Sequence, residues 1–273
     1  MATANMHGKY THPFHHDAAP YWFGDHPAPH IRSVTVDQSS RWLARGWSDL
    51  WAAPGVSLTY GMMFVVAAYL IFFGLTAVGM ESLILPMAAG FMLIGPIAAV
   101  GLYDVSRRHA DGDPVTLSHA LDTFRQRSGP LMVVGLSLMM ALLAWMMVAL
   151  VIFASFYHAA PPTMGAFFST LMTAPQAPFF LLVGTLTGAV IAAAVFTVSA
   201  ISLPMIVDRN ASPVYAMATS VRAVAKNWRV MIGWAAMIAL VTGFGLATFF
   251  IGLAIALPLV GHASWHAYKA IID

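Results

Sequence analysis

His262 and His266 stand four residues apart in an apolar stretch, so a helix carries both rings on one face. Imidazole inside a membrane is a common ligand of haem or a metal ion. One helix cannot supply both axial ligands of a single haem, because these lie on opposite sides of the iron. The other histidine close to an apolar run, His158, is expected at the opposite membrane face. Hydrogen bonding to neighbouring helices or headgroups, beside Trp265, Tyr268 and Lys269, is the expected role; haem on His262 or His266 is the alternative, and no cofactor is otherwise expected. In the N-terminal tail His12, His15, His16 and Asp17 are the densest cluster, able to hold Zn²⁺, Ni²⁺ or Cu²⁺ loosely, but their spacing matches no fixed structural-zinc pattern. Asp104 with Arg107 and Arg108, and Asp208 with Arg209, follow two apolar runs at equivalent places. They are expected to form structural ion pairs that pin the ends of those runs together. The methionine doublets 62–63, 139–140 and 146–147 suit gap filling and lipid contact better than a copper relay. No Gly-rich phosphate loop, Ser-His-Asp order or zinc-protease helix is present, and no catalytic residue is expected.

The elements that position these residues follow from composition. The chain has 273 residues, 59% of them apolar and 9% charged, with a mean hydropathy of +0.75. Soluble domains carry about 25% charged residues, so an ordinary soluble enzyme is excluded, as is a disordered chain. Cysteine is absent, which removes disulfides, thiolate-held clusters and a cysteine nucleophile. Residues 1–30 hold six histidines, four prolines and one lysine, and read as neither a signal peptide nor a transit helix. The expected organisation is a His/Pro-rich cytoplasmic tail over 1–34, without regular structure, and an all-α transmembrane domain over 35–273. Six spans are expected, at about 57–79, 83–103, 130–157, 179–206, 230–248 and 250–268. The last two divide one apolar stretch that would make a helix of about 58 Å, against a hydrocarbon core of about 30 Å. Gly243, Gly245 and Thr248 mark the turn between them.

With six spans all 13 lysines and arginines fall on one side. The positive-inside rule makes that side the cytoplasm and places both termini there, in a bacterial inner membrane. The segments on that side share a pattern. Asp113-Pro114 and Ser212-Pro213 each put an N-cap before a proline, and amphipathic stretches follow at Leu117, Leu121 and Phe124 and at Met217, Val221, Val224 and Trp228. Before the first span, Leu43, Trp47, Leu50 and Trp51 form an apolar stripe opposite Arg41, Arg45 and Asp49. The pattern predicts three hairpins, each preceded by a short interfacial helix and each with a proline in its second helix, at Pro96, Pro204 and Pro258.

Three stretches, GPIAAVGLYDVSRR (95–108), VSAISLPMIVDRN (198–210) and LPLVGHASWHAYK (257–269), resemble a bacterial family of predicted integral membrane proteins of unknown function, over about 31–271. Some members of that family carry a cytochrome c oxidase subunit I label. The label implies many more spans, and a larger set of intramembrane histidines for haems and copper, than this chain offers. What the resemblance implies is a polytopic membrane protein, with company among respiratory enzymes as the most the label preserves. No Asp, Glu, Lys or Arg falls inside a predicted span, which argues against a pump or proton-coupled carrier. The expected function is therefore a non-catalytic accessory or scaffold subunit of an inner-membrane complex, with a respiratory complex as the candidate. Its partners would be membrane lipids and other integral membrane subunits, with no nucleic acid, and the 158–178 loop would offer a docking surface. The alternatives are a small-solute or lipid transporter with helices broken around a cavity, and a haem-bearing electron-transfer subunit.

Overall fold

The computed structural model describes residues 29–157 and 174–273. Among the described residues the regular elements are helical, apart from one isolated backbone bridge between Ile31 and Ile272. Helix α1 (Gln38–Ala52) is joined to α2 (Pro54–Ala77) by Ala53 alone. A 3₁₀ turn (Glu81–Leu83) leads into α3 (Ile84–Ala98), and α4 (Val100–Asp111) continues it after a break at Ala99. Helix α5 (Leu117–Gln126) is joined by Arg127 to α6 (Ser128–Phe156). Then α7 (Ala177–Ser199) and α8 (Ser202–Arg209) are separated by a two-residue break. Helix α9 (Pro213–Lys226) is joined by Asn227 to α10 (Trp228–Ala247), and α11 (Leu253–Ile271) is the last of the described helices. A short helix linked by one residue to a long apolar one therefore occurs three times, as the linker pattern predicts.

Within the short helices the buried stripe is not the bulky apolar one. Helix α1 buries Trp42, Gly46, Asp49 and Leu50 and leaves Trp47 and Trp51 half exposed. Helix α5 buries Ala120 and Thr123 and exposes Leu121; α9 buries Ala216, Thr219, Ser220 and Ala223 and exposes Val221. Small residues let backbones approach, and bulky apolar edges can face lipid, where no hydrophobic force drives them inward. Asp49, expected on the solvated side, is thus an interior residue. The helix start expected at Asp113 lies at Thr116, whose hydroxyl accepts from the His119 N–H at 3.2 Å. Thr116 is extended there and can cap, while Asp113 is still held in the preceding turn by its N–H bond to Arg108 O. Pro213 opens α9 as expected.

Among the described residues five helical segments are long and apolar enough to cross a membrane: Pro54–Ala77, Pro86–Asp111, Ser128–Phe156, Ala177–Arg209 and Trp228–Ala247. The sixth expected span, α11, is not apolar enough to join them, although it runs back beside α10, from Leu253 against Gly245 to Ile271 bonded to Arg32 N–H. Sheathed by α1, α2, α4 and α10, it needs no lipid-compatible surface and carries His262, Ser264, His266 and Tyr268 instead. The turn before it lies where expected, at Thr248, but Phe249 and Phe250, not glycines, take positive φ (52° and 68°). Thr248 closes the turn by accepting from Gly252 N–H at 3.0 Å and donating to Gly245 O at 2.9 Å. Phe250 packs edge-on to Tyr69, and the Tyr69 hydroxyl donates to Phe249 O at 2.8 Å, which offsets a left-handed backbone that costs about 1–3 kcal/mol. Nor do α2 and α3 pack along each other as a hairpin: α2 lies on α11 and α3 on α6, whereas α6 meets α7 and α10 meets α11.

Two close approaches set α2 and α1 against α11. Pro258 lacks an N–H and cannot bond back to Ala254 O one turn earlier, and that carbonyl points at Gly61, where a Cβ would sit 2.3 Å from it. A Cβ on Gly46 would sit 2.6 Å from Ala263 N. The boundary of the tail also shifts. Residues 30–34 belong to the body: Arg32 N–H donates to Ile271 O at 2.8 Å, Asp273 N–H to His30 O at 3.1 Å, and the Asn227 side chain holds Val34 N–H and Arg32 O at 2.9 and 3.0 Å. Gly61→Val and Gly46→Val will each destabilise the protein by about 1–3 kcal/mol, read as a lowered Tm in detergent, because backbone rather than a flexible side chain blocks the new methyls. Gly184→Ala, where nothing lies within 4 Å, will leave Tm unchanged or slightly raised.

Candidate functional site

The expected pair His262 and His266 lies at the centre of a buried polar chain that crosses four helices. His262 on α11 is fully buried. Its Nε2 lies 3.0 Å from Ser57 Oγ on α2, and its Nδ1 lies 2.8 Å from Ser106 Oγ on α4. Ser106 donates its only proton to Asp49 Oδ2 on α1 at 2.6 Å. That donation leaves Ser106 Oγ an acceptor, so His262 Nδ1 carries the proton and its Nε2 accepts from Ser57. One turn further along α11, His266 Nε2 lies 2.8 Å from the same Asp49 oxygen, and His109 Nε2 stands 4.0 Å from the other. Burial works against the charged form of Asp49, but the hydrogen bonds from His266 and Ser106 and the field of the two imidazoles outweigh it, holding the carboxyl below its usual range.

The order serine, histidine, serine, aspartate resembles a nucleophile with its base and orienting group, but Ser57 is fully buried and neither cavity described below is lined by it. The chain works as a clamp: it satisfies every polar atom it buries and fixes the relative rotation of α1, α2, α4 and α11. Haem fits poorly here, since both ring nitrogens of His262 are engaged and His266 Nε2 is turned to Asp49. Sequence reading found the two histidines and missed Asp49, Ser57 and Ser106. The available signal was the stripe Trp42, Gly46, Asp49, Leu50 at helical spacing, which an apolarity scan passes over because glycine and aspartate interrupt it.

The other expected groups are placed as follows. Asp104 is buried and is met within its own helix by Arg107 (Nε at 3.1 Å) and Arg108 (Nε at 2.7 Å). Asp208 accepts from Tyr268 Oη at 2.7 Å and from Lys269 Nζ at 3.2 Å, and Arg209 Nε donates to Tyr268 Oη at 3.1 Å. Of the two aspartates Asp104 therefore pins nothing across repeats, whereas Asp208 ties the end of the second repeat to the third. Asp104 is already saturated by its own arginines, and Asp208 is tied to α11. His12, His15, His16 and His158 lie outside the described residues.

A cleft of about 430 Å³ opens between α7 and α10, with α3, α4 and α11 behind it. Its rim carries exposed alanines (Ala192, Ala193, Ala236 and Ala239), its floor Pro96, Trp234 and Leu257. Both helix breaks, at Ala99 and Ala200, lie in its wall. No Asp, Glu, Lys, Arg or His lines it. A second, smaller crevice of about 100 Å³ occupies the gap between α2 and α3.

The Asp49 clamp sets a pH dependence. A carboxyl with a native pKa below the 3.8 of a free aspartate stabilises the fold fully above that value and loses its contribution as pH falls through the native pKa. Tm will therefore drop on acidification below about pH 4, and Asp49→Asn will be less stable at pH 7 and show a shallower acid limb. Ser106→Ala strands a buried imidazole N–H and will cost about 1–3 kcal/mol. In a double-mutant cycle the two changes will be clearly non-additive, because they break one chain.

No curated protein and no solved structure matches the chain. The match is to a protein family, and it is narrower than the 31–271 expected: it takes in the stretches at 95–108 and, all but its last two residues, 198–210, and leaves out the one at 257–269. Residues 84–208, from the start of α3 almost to the end of α8, match the family described as predicted integral membrane protein (DUF2189), a description that carries no oxidase label.

Proposed function

We propose that this integral membrane protein holds an apolar, lipid-like molecule in the cleft between α7 and α10, as a lipid carrier or lipid-binding protein. The single observation that supports this reading is the cleft itself: about 430 Å³, within the range of small-molecule sites, walled by apolar side chains and open sideways through a rim of alanines. The lining rules against a polar solute, which narrows the expected small-solute or lipid transporter to its lipid half. The broken helices around the cleft fit a site whose walls can shift. The twelve described lysines and arginines lie in or beside the short helices and at the adjoining helix ends, which supports an inner-membrane location with both termini cytoplasmic.

A second reading, an accessory subunit of a larger membrane complex, draws on α6. Only 6% of its most apolar stretch is buried, which leaves a long wall free for another subunit. Native mass spectrometry of the protein released from nanodiscs separates the two. A retained lipid-mass adduct, lost at least tenfold in Ala193→Trp with Tm unchanged, is the expected result. A bare wild-type chain that co-migrates with a second protein on native gels would overturn the lipid reading in favour of the subunit.

A further inference from the structure

Two hydroxyls in the wall of the cleft have no partner. Thr242 on α10 and Ser264 on α11 are 5% and 8% exposed, both line the cleft, and neither makes a hydrogen bond. Other hydroxyls on the long helices do: Thr187, Thr197 and Ser199 each donate to the carbonyl four residues earlier, at 2.7–2.8 Å. Thr242 and Ser264 have the same carbonyls within their own helices and do not use them. Among the described residues the fully enclosed side-chain atoms without a partner are Tyr157 Oη and Ser212 Oγ, so the Thr242 and Ser264 oxygens open onto the cleft, where an apolar wall offers a water too few partners. Of the other two hydroxyls in the wall, Ser199 is engaged as above and Tyr103 makes a long contact to Pro96 O at 3.4 Å.

The spacing of the two free donors follows from the pairing of their helices. Gly245 on α10 packs against Leu253 and Ala256 on α11, which puts Thr242 level with Leu257. Ser264 then lies about 10 Å further toward the basic end, at 1.5 Å per residue. Phe91 lines both the cleft and the crevice between α2 and α3, and so do neighbouring turns of α11, Leu257 in one and Leu253 in the other. The two apolar spaces adjoin end to end.

Resting on the lipid reading above, we infer that the occupant of the cleft is an uncharged lipid bearing ester or ketone carbonyls, which accept hydrogen bonds from Thr242 and Ser264 while its tail runs past Phe91 toward the crevice. The absence of ionisable Asp, Glu, Lys, Arg and His from the lining selects against a phosphate or carboxylate headgroup, which would lie there without a counter-charge. The two hydroxyls select for acceptors, because a ligand without them leaves both donors unpaired.

The test is competition on the full-length protein in nanodiscs, read by native mass spectrometry. The probes are dioleoylglycerol, its dialkyl ether analogue lacking carbonyls, a long-chain quinone, and dioleoylphosphatidylglycerol. Wild type will bind the ester at least about tenfold more tightly than the ether, as the loss of two hydrogen bonds of about 0.5–1.5 kcal/mol each predicts, and will exclude the anionic lipid. Thr242→Val and Ser264→Ala together will erase the ester preference, with ether binding unchanged or tighter and Tm unchanged or slightly raised. Competition by the quinone against the diacylglycerol shows which carbonyl source the cleft prefers, and stronger binding of either supports the inference. Equal affinity for ester and ether in wild type, or tight binding of the anionic lipid, overturns it. If Ala193→Trp still lowers all binding in that case, the cleft remains the lipid site and only the carbonyl recognition fails. If Ala193→Trp changes nothing, the cleft reading fails with it.

Discussion

The constraint on which the structure depends is the satisfaction of polar groups in helix α11. This helix is enclosed by four others, yet it carries two histidines, a serine and a tyrosine on its inner surface. Where water cannot reach, each such group must find a partner or impose a cost. His262 finds two serines from two helices, and through one of them the aspartate of a third. The clamp is directional: its protons run Ser57 to His262 to Ser106 to Asp49. A rotation of α1, α4 or α11 would break more than one link. Apolar packing alone tolerates sliding, so the polar chain supplies the register that the apolar surfaces leave open.

Backbone proximity follows from the same arrangement. Helices α1 and α2 reach α11 through Gly46 and Gly61, and the carbonyl that Pro258 leaves free faces one of them. The cleft lies on the other flank of α11. There α7 and α10 are walled by alanines and held apart, while α3 and α7 break just where they border the space. One helix therefore serves as a rigid anchor on its clamped side and as the floor of a binding cleft on the other. Ser264 lies only two residues from His262, so the ligand-facing hydroxyl is positioned by the stiffest part of the molecule.

Much of the architecture was legible in the sequence. The long apolar runs and basic linkers gave the helical membrane class, and the three amphipathic stretches became three short helices, each one residue from a long one. On those short helices Trp47, Trp51 and Val221 face out, as an interfacial helix would have them, but that the opposite, small and polar stripe packs inside the protein rather than in water was not legible. Asp49 was misplaced for that reason. The turn after α10 lies where expected, at Thr248, but its left-handed residues are Phe249 and Phe250 rather than glycines, because what holds them is tertiary, a ring cluster with Tyr69 and Phe72. The histidine pair was found by spacing, but its partners lie 156 and 205 residues away in the chain, and no local pattern joins them. The first hairpin was read from adjacency in sequence, but α2 and α3 touch only locally, at Tyr60 with Ala98 O and Phe64 with Phe91, and a crevice separates them elsewhere.

The anchoring helix comes after every other described helix, and the strand-like segment that grips its end, residues 30–34, precedes them all. During translation the ribosome delivers α1 and α2 long before the partner that completes them. Ser106 can donate to Asp49 once α4 is in place, but Ser57 waits 205 residues for His262, Asp49 217 for His266 and Ser106 156 for His262. Closure of the clamp then comes late, when the first and last parts of the chain meet, so assembly is a single concluding event rather than a sequence of independently stable hairpins.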